Sequence, residues 1–344
     1  RKISIFPAYN SRVNPPTSLF FRYLLILMVS LRLVSFRRKG ARLAEAGAMF
    51  NEGQSILPLG GGKKMSMLDV VTKRDTDFLK SIREQLKTGS YDATHLVEAS
   101  KVQVTAPIVP PRNVMCVGKN YTDHVAEVNE AHARKTTGND GNEPAPVSIQ
   151  GPKWPVFFTK APETVIGPHP DKIESHKAIT KWLDYEVELA LIIGKKGRDI
   201  SKEDAFSHLF GYTVGNDVTA REIQKRHNQW FKGKSLDNSC PLGPCIVPHF
   251  DLIDSGADPA DLQVTTHVNG EMRQNSRTSK LIFDIPTIIA SLSEGFTLRP
   301  GDVILTGTPD GVGFAMDPPR VLKRGDDVVC AVEHIGKLRN IVGK

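Results

Sequence analysis

Residues 184–194, DYEVELALIIG, constrain this chain more than any other segment. The run reads as a β-strand, and side chains two apart on a strand share a face. Asp184, Glu186 and Glu188 therefore line one face, while Val187, Leu189 and Leu191 line the other. The strand is otherwise strongly apolar and reads as buried. Acids on a buried or cleft-lining face must be ion-paired or must coordinate a metal. Asp217 ends the strand-like GYTVGND just before a helical stretch and is the natural third acid. Oxygen-only ligation suits Mg²⁺, Mn²⁺ or Ca²⁺ rather than zinc. From periodicity alone, salt-bridged structural acids are the favoured reading and metal ligation is the alternative.

The 344 residues allow one large domain or two smaller ones. Short β-like runs broken by Gly and Pro dominate, with few long helical stretches. Residues 28–105 read as a small N-terminal domain, with a strand near Leu31–Phe36 and a helix around Thr76–Lys87. The Pro-rich TAPIVPPRN marks a boundary, and 106–344 forms the larger domain. The stretch GGGKK fails the spacing of a phosphate loop and reads as a turn. Asn269-Gly270 marks a hairpin, and 279–295 reads as a helix ended by Gly295. Residues 129–153 are polar and rich in Gly, Asn, Thr and Pro, and read as a long surface loop in the position of a lid.

The formal charge of +7 is misleading. Eight Lys or Arg and no acid lie in the first forty residues, which leaves 37 basic residues against 38 acidic in the rest. A nucleic-acid face needs basic residues clustered on the folded body, so no nucleic-acid partner is expected. The apolar YLLILMVSL is too short to span a bilayer, so no membrane partner is expected either. Residues 1–27 read as an unstructured extension or leader, with a start at Met28 favoured over an Arg-rich transit segment. The expected location is cytoplasmic or mitochondrial. The four cysteines lack C-x-x-C spacing and read as reduced thiols.

DYEVELALIIG, GNDVTAREIQ, CVGKNYTDHVAEV, VNGEMRQ and LIFDIPTIIASLSEGFTLRPGDVILTGTPDGVG together resemble the fumarylacetoacetate hydrolase family, over about 107–344. The nearer likeness is to its short acylpyruvase and oxaloacetate decarboxylase type. The resemblance implies an α+β, β-rich fold: a mixed β-roll catalytic domain with a small N-terminal domain, as a homodimer. It implies that Glu186, Glu188 and Asp217 hold a divalent metal, Mg²⁺ first, with Mn²⁺ or Ca²⁺ as alternatives. Asp184 is not a ligand in that pattern.

His124 and Glu127 lie one helical turn apart. By resemblance, His124 takes a proton from water and Glu127 orients it. Lys234, with Lys232 as competitor, would stabilise an enolate or oxyanion. Arg221, Gln224 and Thr308 would bind a substrate carboxylate. Cys240 has no neighbouring base in sequence and is not taken as a nucleophile. The implied activity is cleavage of a C–C bond in a small 2,4-diketo acid: acylpyruvate hydrolysis through an enolate. Oxaloacetate decarboxylation and isomerisation of an unsaturated 2-hydroxy or 2-oxo diacid are the alternatives. A non-catalytic metal-binding scaffold is the reading of a different class.

Overall fold

The computed structural model describes residues 30–140 and 151–344, so the expectations for 1–27 and for 141–150 lie outside the described residues. Strands β1 (Arg32–Arg38), β2 (Glu45–Phe50) and β3 (Ser55–Pro58) form an antiparallel meander. Helices α1 (Met67–Lys73) and α2 (Thr76–Thr88) follow. Asp75 caps α2 by accepting the Phe78 N–H, and left-handed Gly89 ends it. β4 (Val102–Thr105) pairs with β1, and β5 (Val114–Gly118) leads into α3 (Thr122–Asp140).

The chain continues through β6 (Val156–Lys160), β7 (Val187–Ile193) and β8 (Leu209–Asn216). Two short helices, α4 (Arg221–Arg226) and α5 (Phe231–Lys234), precede β9 (Cys240–Pro248). The hairpin of β10 (Gln263–Val268) and β11 (Glu271–Arg277) turns at Asn269 and Gly270, both with positive φ. Helix α6 (Ile285–Ser293), β12 (Val303–Leu305), β13 (Asp327–Val332) and β14 (Gly336–Gly343) complete the chain.

The large sheet runs β3-β2-β1-β9-β8-β7-β12-β5-β6, so the N-terminal meander extends it through the β1–β9 pair. The smaller sheet runs β11-β10-β13-β14 and ends on Lys172–Glu174. One core fills the space between the sheets: Val187, Leu189 and Leu191 of β7 meet Val264, Val328 and Val342 there. A second core lies on the opposite face of the large sheet, where Ala190 and Ile192 join Val70, Val71, Leu79 and Ile82 of the two helices. β7 is thus buried on both faces, and any acid it carries is cut off from bulk water.

Two expectations need correction. Residues 129–140 are helix, not loop. Good helix formers such as Glu130, Ala131, Ala133 and Arg134 carry α3 onward without an apolar stripe. The helix expected over 279–295 begins only at Ile285, because Asp284 caps it by accepting the Thr287 N–H. Among the described residues no helix is long and apolar enough to cross a membrane.

Candidate active site

The pairing of β7 with β8 assembles the acidic cluster. Val187 lies opposite Asn216, and the Asp217 N–H donates to the Glu186 carbonyl at 2.8 Å. Glu186, Glu188 and Asp217 thereby offer carboxylate oxygens that all lie within 4.8 Å of one another, each from a buried residue. Repulsion between like charges out of water demands cations. Lys234 Nζ stands 2.6 Å from both Glu186 Oε2 and Asp217 Oδ2. Lys160 Nζ stands 2.8 Å from Asp217 Oδ1, and Arg221 Nη1 2.6 Å from Glu186 Oε1.

The distribution of these cations is uneven. Burial alone would raise the Glu186 pKa, but Arg221 and then Lys234 outweigh it and hold the carboxyl at about 2. Lys234 is held firmly as ammonium: burial opposes its charge, and Asp217 and Glu186 restore it. Glu188 has no ion-pair partner among the described residues and accepts only the Gly307 N–H, at 2.5 Å. Burial first, then repulsion from Asp217 and Glu186, pushes its pKa well above the carboxylate range. A buried carboxylate short of a counter-charge, beside two others, is a donor set that a hard divalent cation fits.

Gly307 must be glycine for this contact. Its φ is +105°, and a Cβ would lie 2.7 Å from Asn120 Cβ and 3.2 Å from Val117 O.

Asp184 is a hub of a different kind. It accepts from the N–H groups of Gly313 (2.8 Å) and Phe314 (3.1 Å) and from Arg221 Nε (3.0 Å). It thus ties the glycine-rich loop to Arg221, whose guanidinium lies 4.3 Å from the Phe314 ring centroid. Asp184→Ala would leave three buried donors short of an acceptor. The expected loss is about 3 kcal/mol of unfolding free energy in urea denaturation. A loss under about 1 kcal/mol would contradict the hub.

His124 and Glu127 share the first turns of α3, with His124 Nδ1 3.7 Å from Glu127 Oε2. Both Glu127 oxygens accept the Gly311 N–H at 3.0 Å, so the carboxylate is pinned to the glycine-rich loop. His124 is buried, and its Nδ1 has no hydrogen-bond partner among the described residues.

One cavity of about 390 Å³ brings His124, Glu186, Glu188, Arg221, Gln224, Lys234 and Thr308 onto a common wall. Of the residues expected from sequence, Glu127 and Asp217 stand behind that wall. Lys232 is exposed, whereas Lys234 is buried against the acidic cluster. All four cysteines are free and buried, and burial pushes the Cys240 thiol up to about 12, so it stays protonated.

Sequence reasoning missed Lys160 and Gln274. The amide of Gln274 donates to Thr308 Oγ1 (2.9 Å) and the Pro309 carbonyl (3.0 Å), and its oxygen accepts the Val187 N–H at 3.1 Å. It therefore locks the glycine-rich loop to the acidic strand. Its sequence signals are its place at the end of VNGEMRQ and its alternation with Ser276 along β11.

Residues 113–343 match the fumarylacetoacetate (FAA) hydrolase C-terminal family. The chain is similar to the oxaloacetate tautomerase YisK of Bacillus subtilis: 48% identity over 245 residues, 71% of this chain and 74% of that protein. It is similar to the mitochondrial oxaloacetate tautomerase fahd2 of Xenopus laevis, with 37% identity over 320 residues and 91% of each chain covered. A solved fumarylacetoacetate hydrolase from psychrophilic Exiguobacterium antarcticum superposes with a TM-score of 0.71 at 39% identity, covering 91% of this chain and 99% of the other. A 5-carboxymethyl-2-hydroxymuconate delta-isomerase from Mycobacterium smegmatis gives 0.66 at 31%, covering 91% and 99%. The α+β, β-rich architecture is the one these structures share, and the chain belongs to the fumarylacetoacetate hydrolase family.

Proposed function

We propose that this protein is a divalent-metal-dependent enzyme that interconverts the keto and enol forms of oxaloacetate, with Glu186, Glu188 and Asp217 as metal ligands. The supporting observation is the cavity itself, which sets an under-neutralised acidic cluster beside an unpaired buried imidazole. That pairing suits enolisation of a small 2-oxo acid. The names of the relatives select oxaloacetate within that class. They also favour an enzyme over a metal-binding scaffold.

When bound, the cation supplies Lewis acidity that polarises a 2-oxo group and acidifies the neighbouring C–H. The chain's own residues do the rest. The His124 imidazole takes a proton from C3 through Nε2, the ring nitrogen away from Glu127, and the electron pair shifts through C2 to the 2-oxo oxygen. The imidazolium gives up its proton as that oxygen gains one, directly or through solvent, so atoms balance, the base is restored and nothing is oxidised. Glu127, fixed by Gly311, orients the imidazole. Lys234 uses two of its three donors on Glu186 and Asp217 and keeps one for the developing oxyanion. Arg221 retains a buried Nη2 without a hydrogen-bond partner among the described residues, a donor free for the substrate's C1 carboxylate.

Acylpyruvate hydrolysis is the second reading, favoured by the aromatic wall of Phe158, Trp182, Trp230 and Phe314, which offers more apolar surface than a four-carbon diacid needs. The test follows the enol absorbance of oxaloacetate with purified protein, with and without Mg²⁺ and after chelation, with pyruvate assayed in parallel. Metal-dependent acceleration of enol decay without pyruvate is the expected result. Pyruvate formed in step with decay would replace tautomerisation by decarboxylation. No acceleration, with acetopyruvate consumed instead, would establish the hydrolase.

A further inference from the structure

Four cationic side chains line the cavity, and two of them are already committed. Arg221 is tied to Asp184 and Glu186, and Lys234 to Glu186 and Asp217. Lys119 and Lys225 are exposed, and neither forms an ion pair or hydrogen bond with its side chain among the described residues. The third carboxylate of the wall besides Glu186 and Glu188 is Glu222, which accepts from Thr180 Oγ1 and the Lys181 N–H, both at 2.8 Å. Glu222 is thus turned to these neutral donors, and no carboxylate of the cavity is ion-paired with either lysine among the described residues.

Their placement is specific. Arg221, Gln224 and Lys225 stand at i, i+3 and i+4 on α4, so one helix face sends all three to the same cavity. Lys119 follows Gly118 at the end of β5 with φ +56°, a left-handed conformation that a non-glycine residue adopts at a cost. Backbone strain of this kind collects at ligand sites, and here it accompanies a residue on the cavity wall.

The substrate's chemistry supplies the missing partner. A 2-oxo dicarboxylate engaged at the acidic cluster through its C1 carboxylate and 2-oxo group has a second carboxylate at C4. That group needs its own cation, away from Glu186 and Glu188, which repel it. We propose that Lys119 and Lys225 bind this distal carboxylate, so that the cavity selects 2-oxo dicarboxylates over 2-oxo monocarboxylates of equal length. The assignment rests on the keto–enol reading above and adds to it the basis of substrate choice.

Oxaloacetate and 2-oxobutyrate are a matched pair, alike through C3 and differing in carboxylate against methyl at C4. The test uses the full chain with Mg²⁺ and measures two quantities for both acids. One is calorimetric affinity; the other is C3 proton exchange into D₂O by NMR. For the double variant Lys119→Met/Lys225→Met, oxaloacetate affinity should fall about tenfold and KM rise by the same factor, with kcat within about twofold. 2-Oxobutyrate should change by less than about twofold in either quantity. The charge-preserving Lys119→Arg/Lys225→Arg variant should recover most of the loss, which no merely structural role for the methylene stems would reproduce.

Oxaloacetate affinity unchanged in the Met variant, or both acids weakened equally, would overturn the subsite. Wild-type protein that binds oxaloacetate selectively through the two lysines but exchanges no C3 proton would support the subsite and overturn the keto–enol activity instead.

Discussion

Glu188→Gln is expected to lower metal-dependent turnover by about a thousandfold and, at the same time, to make the metal-free protein more stable than wild type. The first effect follows from removing one of three anionic ligands, since a Lewis acid contributes several kcal/mol to stabilising developing charge. The second follows from where Glu188 sits. It is 1% exposed, lacks a cationic partner among the described residues, and faces two other carboxylates. The glutamine keeps the shape, and its side-chain oxygen still accepts the Gly307 N–H.

The sign of the pH dependence is set by the same contacts. The folded-state pKa of Glu188 is raised above its ordinary 4.5. In the metal-free protein its contribution to stability is full below about 4.5 and is lost as pH climbs through the raised folded value. Chemical denaturation between pH 4 and 8 should show wild-type stability declining relative to Glu188→Gln over that window. Saturating Mg²⁺ should reverse the order, adding about 2.7 kcal/mol to wild type at a hundredfold excess over Kd and much less to the variant. A variant that is less stable than wild type without metal would refute the uncompensated carboxylate.

His124→Asn should lower kcat by about 10²- to 10⁴-fold with KM little changed, the size expected when a positioned proton acceptor is removed. The imidazole borders the cavity, whereas its contacts to the fold are few: Glu127 stands 3.7 Å from Nδ1 and is held independently by Gly311. Stability should therefore change by less than about 1 kcal/mol, measured by thermal denaturation alongside the kinetics. A large rise in KM with kcat intact would make His124 a binding residue and not the proton acceptor.

The acidic cluster was legible because its signal is local. Carboxylates at alternate positions of an apolar run admit few physical explanations, and β7, buried on both faces, shows why the pattern stood out. The His124–Glu127 spacing was legible for the same reason, as one turn of a helix.

Lys160 and Gln274 were not, since each meets the site only through side-chain contacts with residues more than thirty positions away. Lys160 reaches Asp217 from β6, and Gln274 reaches Thr308 from the smaller sheet. The aromatic wall is equally distributed, with Phe158, Trp182, Trp230 and Phe314 drawn from four segments. The stretch after Glu127 was misread because its sequence is mostly polar and carries no apolar period to read.

The measurement that bears most directly on the metal site is a titration of purified protein with Mn²⁺, reading free ion by electron paramagnetic resonance. One Mn²⁺ bound per chain by wild type, displaced by Mg²⁺ and lost in Glu188→Gln, is the expected result. Equal Mn²⁺ binding by Glu188→Gln, or none by wild type, would contradict the assignment of Glu186, Glu188 and Asp217 as ligands.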